Sequence, residues 1–490
     1  MSLSIGLDVA LSGLSTTAEQ TAVVSRNVAN ANDPHASRKT ANIVTWSGGG
    51  TRLASITRAA NAALLEKMLG ATSSAAAQKA VVEALNELNQ TVDDPELDQS
   101  PAAMVQKLND AIQQYAAAPQ DTIRAQSAVA AAQNLAIGLN DATAAVQDVR
   151  AQADAGIADA VTRLNTLLAR FETLNDEIVK GTRIGADVTD YLDQRDTLLA
   201  TISEDIGIRT VTRSNYDMAI FTDSGVTLFE VKARTVSFER TLIYSPAGTG
   251  NAVYVDGVPI TGNSGTMLVG SGRLTGLTSI RDDVAVTYQS QLDEIARGLI
   301  EAFAESDQSA TPSLPDAPGL FTYPGAPAMP ATGTLIVGLA GTIRINPAVD
   351  PAQGGDLALL RDGGMAGDPA YVYNQSGGSA FADRLNQYVA NLAAPRSFDP
   401  AVQLVLSGTL AGFASSSTAW LQEARKTAND DADYANTLLQ RSSDALAKET
   451  GVSIDEEMTA LLELERSYQA STRLISTIDS MMKSLLAATG

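Results

Sequence analysis

Two segments written in a seven-residue frame sit at opposite ends of the chain, and each needs a partner to cover it. From Gly451 the sequence reads Val452-Ser453-Ile454-Asp455-Glu456-Glu457-Met458, then runs to Ala488 without glycine or proline. Ile454, Leu461, Tyr468, Ile475 and Met482 fall in one column; Leu464, Ser471, Ile478 and Leu485 fall in a second. Apolar residues held at that spacing over four heptads define a helix built to lie against another helix. Ser453 three residues before Glu456 fits a capping box, and the acidic first turn and Lys483 near the end suit the helix dipole. Residues 3–31 carry a matching frame, with Leu7, Leu14, Thr21 and Val28 in one column and Leu3, Ala10, Thr17, Val24 and Ala31 in the other. This seam is thin, and no Lys or Arg precedes Arg26. Periodicity alone fits a coiled coil of the two ends, or both helices packed on one globular core.

The 490 residues between and around these ends suffice for two or three domains with cores of their own. Fifty-six acidic against 34 basic residues give a net charge of −22. That balance argues against nucleic-acid binding, which neutralises phosphates with basic patches. Cysteine is absent, so disulfide and thiolate chemistry are excluded. The N-terminus lacks the basic n-region and continuous apolar core of a secretory signal. Residues 317–343 carry no charge, but Pro318, Pro324, Pro327 and Pro330 interrupt them, so they read as loop and strand. No membrane anchor is visible.

Thr40 to Trp46 and Thr51 to Ala59 flank Ser47-Gly48-Gly49-Gly50 and read as a β-hairpin. Helix is expected from Asn61 to about Gln90, with a break at Asp93-Asp94-Pro95-Glu96, and again from Pro101 to Ala117. Between Asp121 and Lys180 there is no proline, which allows one helix of about 90 Å. Its apolar positions step by fours and threes except around Ile157 and Val161, a stutter that leaves a break near Gly156 open. Asp190 opens the next helix.

From Ile206 the period changes. Ile208–Val211, Met218–Phe221, Val226–Val231, Thr235–Phe238, Leu242–Tyr244 and Ala252–Ile260 read as short strands, with Asp256-Gly257 a hairpin turn. A helix is expected from about Arg281 to Phe303, strands at Thr334–Val337 and Thr342–Asn346, and helices at Phe381–Asn391 and Phe413–Glu449.

Chemistry finds little support in the residues. Asp187, Asp190, Asp193 and Asp196 recur every third position, but calcium loops space their ligands by two with a glycine at the sixth place. Capping and ion pairs with Arg183 or Arg195 are the expected roles. Gly270, Gly272 and Gly276 miss the dinucleotide spacing. His35 is the only histidine, which excludes paired-histidine zinc sites. No catalytic residue, metal site or cofactor is expected.

Several strings do carry a family likeness. Leu11-Ser12-Gly13-Leu14 with Ser25-Arg26-Asn27-Val28-Ala29-Asn30-Ala31 resembles the N-terminal signature of axial flagellar proteins. Gly451 to Glu457, with Tyr468-Gln469-Ala470-Ser471, resembles their C-terminal signature. After Asn32 the chain departs from the usual Gly-Tyr-Ser-Arg, having Pro34-His35-Ala36 before Ser37-Arg38. Leu174-Asn175-Asp176-Glu177-Ile178, Asp190-Tyr191-Leu192-Asp193-Gln194-Arg195-Asp196, Gly272 to Leu277 and Gly319-Leu320-Phe321 resemble the hook-associated protein 1 family, the hook–filament junction proteins.

The expected fold is mainly α with a β-rich middle domain, α+β overall. Terminal helices (1–38 and 452–490) form a coiled coil, a helical rod domain (39–204 and 401–451) surrounds it, and 205–400 form the outer β-rich domain. The resemblance implies a structural adaptor that assembles as a ring on the distal end of the flagellar hook. Its interface would comprise Leu3, Leu7, Leu14, Val24, Val28, Ile454, Leu461, Leu464, Tyr468, Ile475, Ile478, Met482 and Leu485. Implied partners are hook protein, the second junction protein and an export chaperone. The implied location is the extracellular flagellum, reached through the flagellar secretion channel without a cleaved signal peptide. A hook or rod component would share the ends and lack the Asp190–Asp196 string. A scaffold with an enzymatic or adhesive middle domain is the remaining alternative.

Overall fold

The computed structural model describes residues 3–47, 49–92, 99–241, 243–262, 265–325 and 328–489. The chain begins with helix α1 (Leu3–Asn30) and a hairpin of β1 (Lys39–Thr45) and β2 (Thr51–Arg58). Four helices follow: α2 (Ala62–Val92), α3 (Pro101–Ala117), α4 (Thr122–Arg183) and α5 (Thr189–Asp205). One antiparallel sheet joins β3 (Ile208–Thr212), β4 (Met218–Thr222) and β5 (Thr227–Phe229); a second joins β6 (Val236–Ser237), β7 (Tyr254–Val255) and β8 (Val258–Pro259). Then α6 (Arg273–Ser279) passes through a π turn at Ile280–Val284 into α7 (Ala285–Ala302). The strands β9 (Phe321–Thr322) and β10 (Arg344–Ile345) pair, followed by α8 (Leu359–Asp362) and α9 (Asp383–Ala393). The pair β11 (Arg396–Ser397) and β12 (Ser407–Gly408) precedes α10 (Leu410–Thr450) and α11 (Ile454–Thr489).

α4 organises the middle of the molecule. Asp121 caps it by accepting hydrogen bonds from the Ile123 and Arg124 amides, and Lys180 and Arg183 occupy its last turn. Its 62 residues span about 90 Å without a break at Gly156. That glycine is a notch for α6, because a Cβ there would lie 3.0 Å from Leu277 Cδ1. The stutter has a simple reading: Val149, Ala153, Ile157, Val161 and Leu164 are all buried. Steps of four compensate the drift of a 3.6-residue helix against a seven-residue frame and keep the stripe on one face.

Against this stripe pack α2, α3, α5, α6, α7 and the strands, forming one contiguous apolar core that reaches Leu421 and Ala428 of α10. α7 runs through its centre, with Leu292, Ile295, Leu299 and Ile300 fully enclosed. Buried arginines tie the middle loops to α4. Arg281 pairs with Asp154 at 2.9 Å, and Arg150 donates to the carbonyls of Arg281 and Ser245. Among the described residues, none of α1 or α11 belongs to this core.

The sequence expectations differ from the structure in several places. Asp93 to Glu96 lie outside the described residues, as do Gly48 of the first hairpin turn and Leu242 of a strand expected there. Ile243 and Tyr244 are not in a strand; the Tyr244 hydroxyl instead donates to buried Asp154. Val226–Val231 shortens to β5. Ala252–Ile260 becomes β7 and β8 around Asp256 (φ 47°) and Gly257 (φ 82°), the left-handed pair of a type I′ turn. Thr334–Val337 is loop, not strand. Carboxylates substitute for a neighbouring strand there: Asp399 accepts from the Leu335 amide, and Asp293 accepts from the amides of Gly338 and Ala340.

The packing of α6 on α2 gives a direct test. A Cβ on Gly276 would lie 2.3 Å from the Ala77 carbonyl oxygen, a backbone atom that cannot swing aside. Gly276→Ala should lower stability to urea by about 1–3 kcal/mol. Gly70→Ala, on an open face of α2 with nothing within 4 Å, should raise it by about 0.5–1 kcal/mol.

Candidate assembly interface

α1 and α11 lie antiparallel. A Cβ on Gly6 would be 3.6 Å from Ile478 Cδ1, one on Gly13 would be 3.7 Å from Ser471 Oγ, and Asn27 donates to Glu457 Oε2 at 3.0 Å. These pairs advance along one helix as they retreat along the other, in multiples of seven. The second expected column of α11 (Leu464, Ser471, Ile478) is therefore the one turned to α1, and all three are half-buried. Leu461 and Ile475 are half-buried, whereas Ile454, Tyr468, Met482 and Leu485 are exposed.

On α1, Ala10 and Thr17 are buried, and Leu3, Leu7, Leu14, Val24 and Val28 are half-buried. The column Gly6–Gly13–Asn27 makes the close approach, and it is absent from the expected seams. Two glycines seven residues apart were the available signal. Thr16, Thr17 and Thr21 donate their hydroxyls to carbonyls four residues back, which satisfies them inside the contact. The hairpin covers another face of α1: the Thr51 amide donates to Ser12 Oγ at 3.2 Å and its hydroxyl to Thr16 at 3.2 Å.

The terminal pair meets the rest of the molecule at a polar joint. The side chain of Lys39, only 2% exposed, lies between Asp190 and Asp193, the latter at 3.3 Å. Arg58 reaches Asp193 at 2.8 Å and Asp196 at 2.6 Å, while Arg26 pairs with Asp187 at 3.0 Å and Asp190 at 3.5 Å. Ser37 donates both its hydroxyl and its amide to Asp193. The carboxylates of the 187–196 run thus face Arg26, Lys39 and Arg58, not the expected Arg183 and Arg195. Helical spacing puts the run on one side of α5, and cations from α1 and the hairpin cover that side.

A second ring of contacts holds α11. Asn27 donates to the Lys39 carbonyl and accepts from its amide. Arg38 donates through Nε to Glu457 at 2.7 Å and pairs with Glu456 at 2.9 Å, and its amide donates to the Thr450 carbonyl. Ser453 caps α11 by accepting from the Glu456 amide, but the Glu456 side chain turns to Arg38, so the expected reciprocal box is half made. Arg195 turns the other way, donating to Asn175 of α4; burial pushes its guanidinium down to about 10. Burial likewise raises the Asp196 carboxyl. Burial opposes the Asp187 anion too, but hydrogen bonds from Thr189 and from Arg26 outweigh it and hold that carboxyl below its ordinary value.

The joint collects the signature strings. Arg26 and Asn27, Ser37 and Arg38, Glu456 and Glu457, and Asp190, Asp193 and Asp196 come from four separate stretches and converge here. Among the described residues, no group of three or more His, Asp or Glu is placed to hold a metal ion. No described helix is long and apolar enough to cross a membrane.

Comparison with known proteins follows the same geometry. Residues 7–34 match the flagella basal body rod protein family, and 447–488 match the C-terminal family of the flagellar basal body rod FlgEFG proteins. Both matches fall on the α1–α11 pair and its joint, and they define an axial protein of the bacterial flagellum. Residues 85–312 match the helical domain of flagellar hook-associated protein FlgK. The chain is 22% identical over 306 residues to flagellar hook-associated protein 1 of Salmonella typhimurium, covering 60% of this chain and 55% of that protein. It is 21% identical over 289 residues to the Escherichia coli K12 protein of the same name, covering 58% and 52%. Over these segments the chain is similar to the flagellar hook-associated protein 1 family. It spans about half the length of the curated relatives it matches. A solved structure of the flagellar hook junction protein FlgK from Burkholderia pseudomallei aligns with TM-score 0.42 and 21% identity, covering 53% of this chain and 46% of that one.

The joint yields two predictions. Asp193→Ala leaves Arg58 and buried Lys39 short of an anion and should cost about 3–5 kcal/mol in chemical denaturation. Asp190→Ala, removing a carboxylate that is 54% exposed and leaving Asp193 beside Lys39, should cost less than Asp193→Ala. The second concerns acid. A depressed folded-state pKa at Asp187 contributes stability above the unfolded pKa that is lost as pH falls through the folded one. Carboxyl NMR titration should place Asp187 below an ordinary aspartate, and Arg26→Ala should move it upward.

Proposed function

We propose that the chain is a structural adaptor at the hook–filament junction, assembling as a ring on the distal hook end through its paired terminal helices. The observation that carries this reading is the set of apolar residues α11 leaves exposed while paired with α1. Ile454, Met458, Leu462, Tyr468, Leu474, Met481 and Met482 are all exposed. Exposed apolar residues running the length of one helix are the mark of a surface that awaits a partner. The interface comprises the residues given above as the expected seams, from Leu3 to Val28 and from Ile454 to Leu485. In each subunit, 1–38 with 452–490 form the inner domain, 39–204 with 401–451 the rod, and 205–400 the outer domain.

Function here is packing, with no chemical turnover. Hook protein lies below, the second junction protein above, and an export chaperone covers the chain before it leaves through the flagellar secretion channel, without a cleaved signal, for the extracellular flagellum. The names of its relatives, the polar joint and the absence of the core from α1 and α11 support this arrangement.

Electron microscopy of isolated hooks lacking the protein tests it. Full-length chain should cap their distal ends, and a chain ending at Gly451 should not. Equal binding by both would remove the terminal pair from the interface, and no binding by either would overturn the junction reading.

A further inference from the structure

The hairpin ends in an exposed indole. Trp46, the residue after β1, is 54% exposed, and its ring lies over Gly50, where a Cβ would come within 2.6 Å of Nε1. Beside it Ile43 and Val44 are exposed at 47% and 41%. Arg52, paired in register with Val44, is exposed and forms no ion pair among the described residues. A tip that shows solvent a tryptophan, two β-branched residues and a free guanidinium has the composition of a binding anchor.

A receptor of fitting chemistry lies at the other end of the same hairpin. Between α1, β1 and α11 is a groove of about 280 Å³ in which Val23, Val24, Ala41, Ala460 and Leu464 alternate with polar residues that include Gln20, Arg38 and Glu457. Glu463 stands at its rim, exposed and without an ion pair among the described residues. The tip of one chain cannot reach its own groove. The tip lies beside Val9 and Ser12 of α1, and the groove lies beside Val23 and Val24, about 20 Å further along that helix.

We propose that Trp46 of one copy seats in this groove of the next copy, with Arg52 paired to Glu463 across the contact. The contact rests on the self-assembly proposed above and specifies it further. Anchor and receptor are different surfaces, so the contact is heterologous and propagates from copy to copy, closing as a ring when the rotation per subunit permits. Neighbouring copies are offset by about 20 Å along α1. The Trp46 ring packs on the aliphatic wall residues with its Nε1–H free to donate to the polar ones, and the Arg52–Glu463 pair fixes the register.

The full chain on hook ends provides the test, and its lack of cysteine makes engineered thiols unambiguous. A chain carrying both Arg52→Cys and Glu463→Cys is allowed to cap hooks and is then treated with a short bis-maleimide. Denaturing gels should show a ladder of linked copies, and each single substitution should give none. Caps without a ladder overturn the contact and leave the junction reading in place. Linked dimers from Arg52→Cys alone mean that hairpin meets hairpin, and they overturn it as well. Failure of the unmodified chain to cap overturns both. Independently, Arg52→Glu should weaken capping about tenfold and Glu463→Arg in the same chain should restore it. Weakening without restoration counts against the pairing.

Discussion

A lysine ammonium taken out of water has to be matched by carboxylates, and the terminal architecture of this molecule is arranged around that requirement at Lys39. The amine begins the hairpin, its anions lie on α5, and its own backbone is held by Asn27 of α1. Asn27 in turn grips Glu457 of α11. Four elements from three separate parts of the chain are thereby fastened through one side chain and its neighbours. The rest of the molecule uses the opposite means. From Leu69 to Ala428 it is held by a contiguous apolar core, in which misplacement of one helix costs area gradually. The joint is specified by direction and charge, and a wrong approach leaves a buried ion without its partner.

How much of this the sequence shows depends on how local each cause is. The seams of α1 and α11, the long α4 and the Asp256-Gly257 turn are written in neighbouring residues, because period, absence of proline and turn chemistry act within one or two turns of chain. The partners of the Asp187–Asp196 run are not. Arg183 and Arg195 are its sequence neighbours, but Arg26, Lys39 and Arg58 lie more than a hundred residues away and are brought to it by the return of the first helix. Gly6 and Gly13 are not legible as a seam, since glycine is a gap in an apolar column, while two helices in close contact need it as a surface. Thr334–Val337 has the composition of a strand and lacks a strand to pair with. Asp293 and Asp399 satisfy its amides and those just after it, so nothing local distinguishes it from a strand.

The motifs that carry the family resemblance are, for the most part, the residues that form the joint. Ser25–Ala31, Ser37-Arg38, the start of α11 and the Asp190–Asp196 string are separate in sequence and adjacent in space. Each string contributes one side of an ion pair or a buried hydrogen bond, so none of them is meaningful alone. The altered segment Pro34-His35-Ala36 lies between two of them. It is mostly exposed and leaves the Ser37–Asp193 and Arg38–Glu457 contacts formed. The chain departs from the pattern where nothing in the joint depends on it.

The length of α4 has a mechanical side. Its C-terminal end, through Ile178 packed with Val188 and Leu192, stands next to the joint, and its first turn is at the other end of the 62-residue helix. A continuous helix of this length behaves as a lever. A 5° change of tilt at the joint would sweep the far end through about 8 Å, with every contact along the shaft preserved. Small angular differences at the joint would thus emerge as large differences in the position of the far end of α4, and the stiffness of one helix sets the gearing between them.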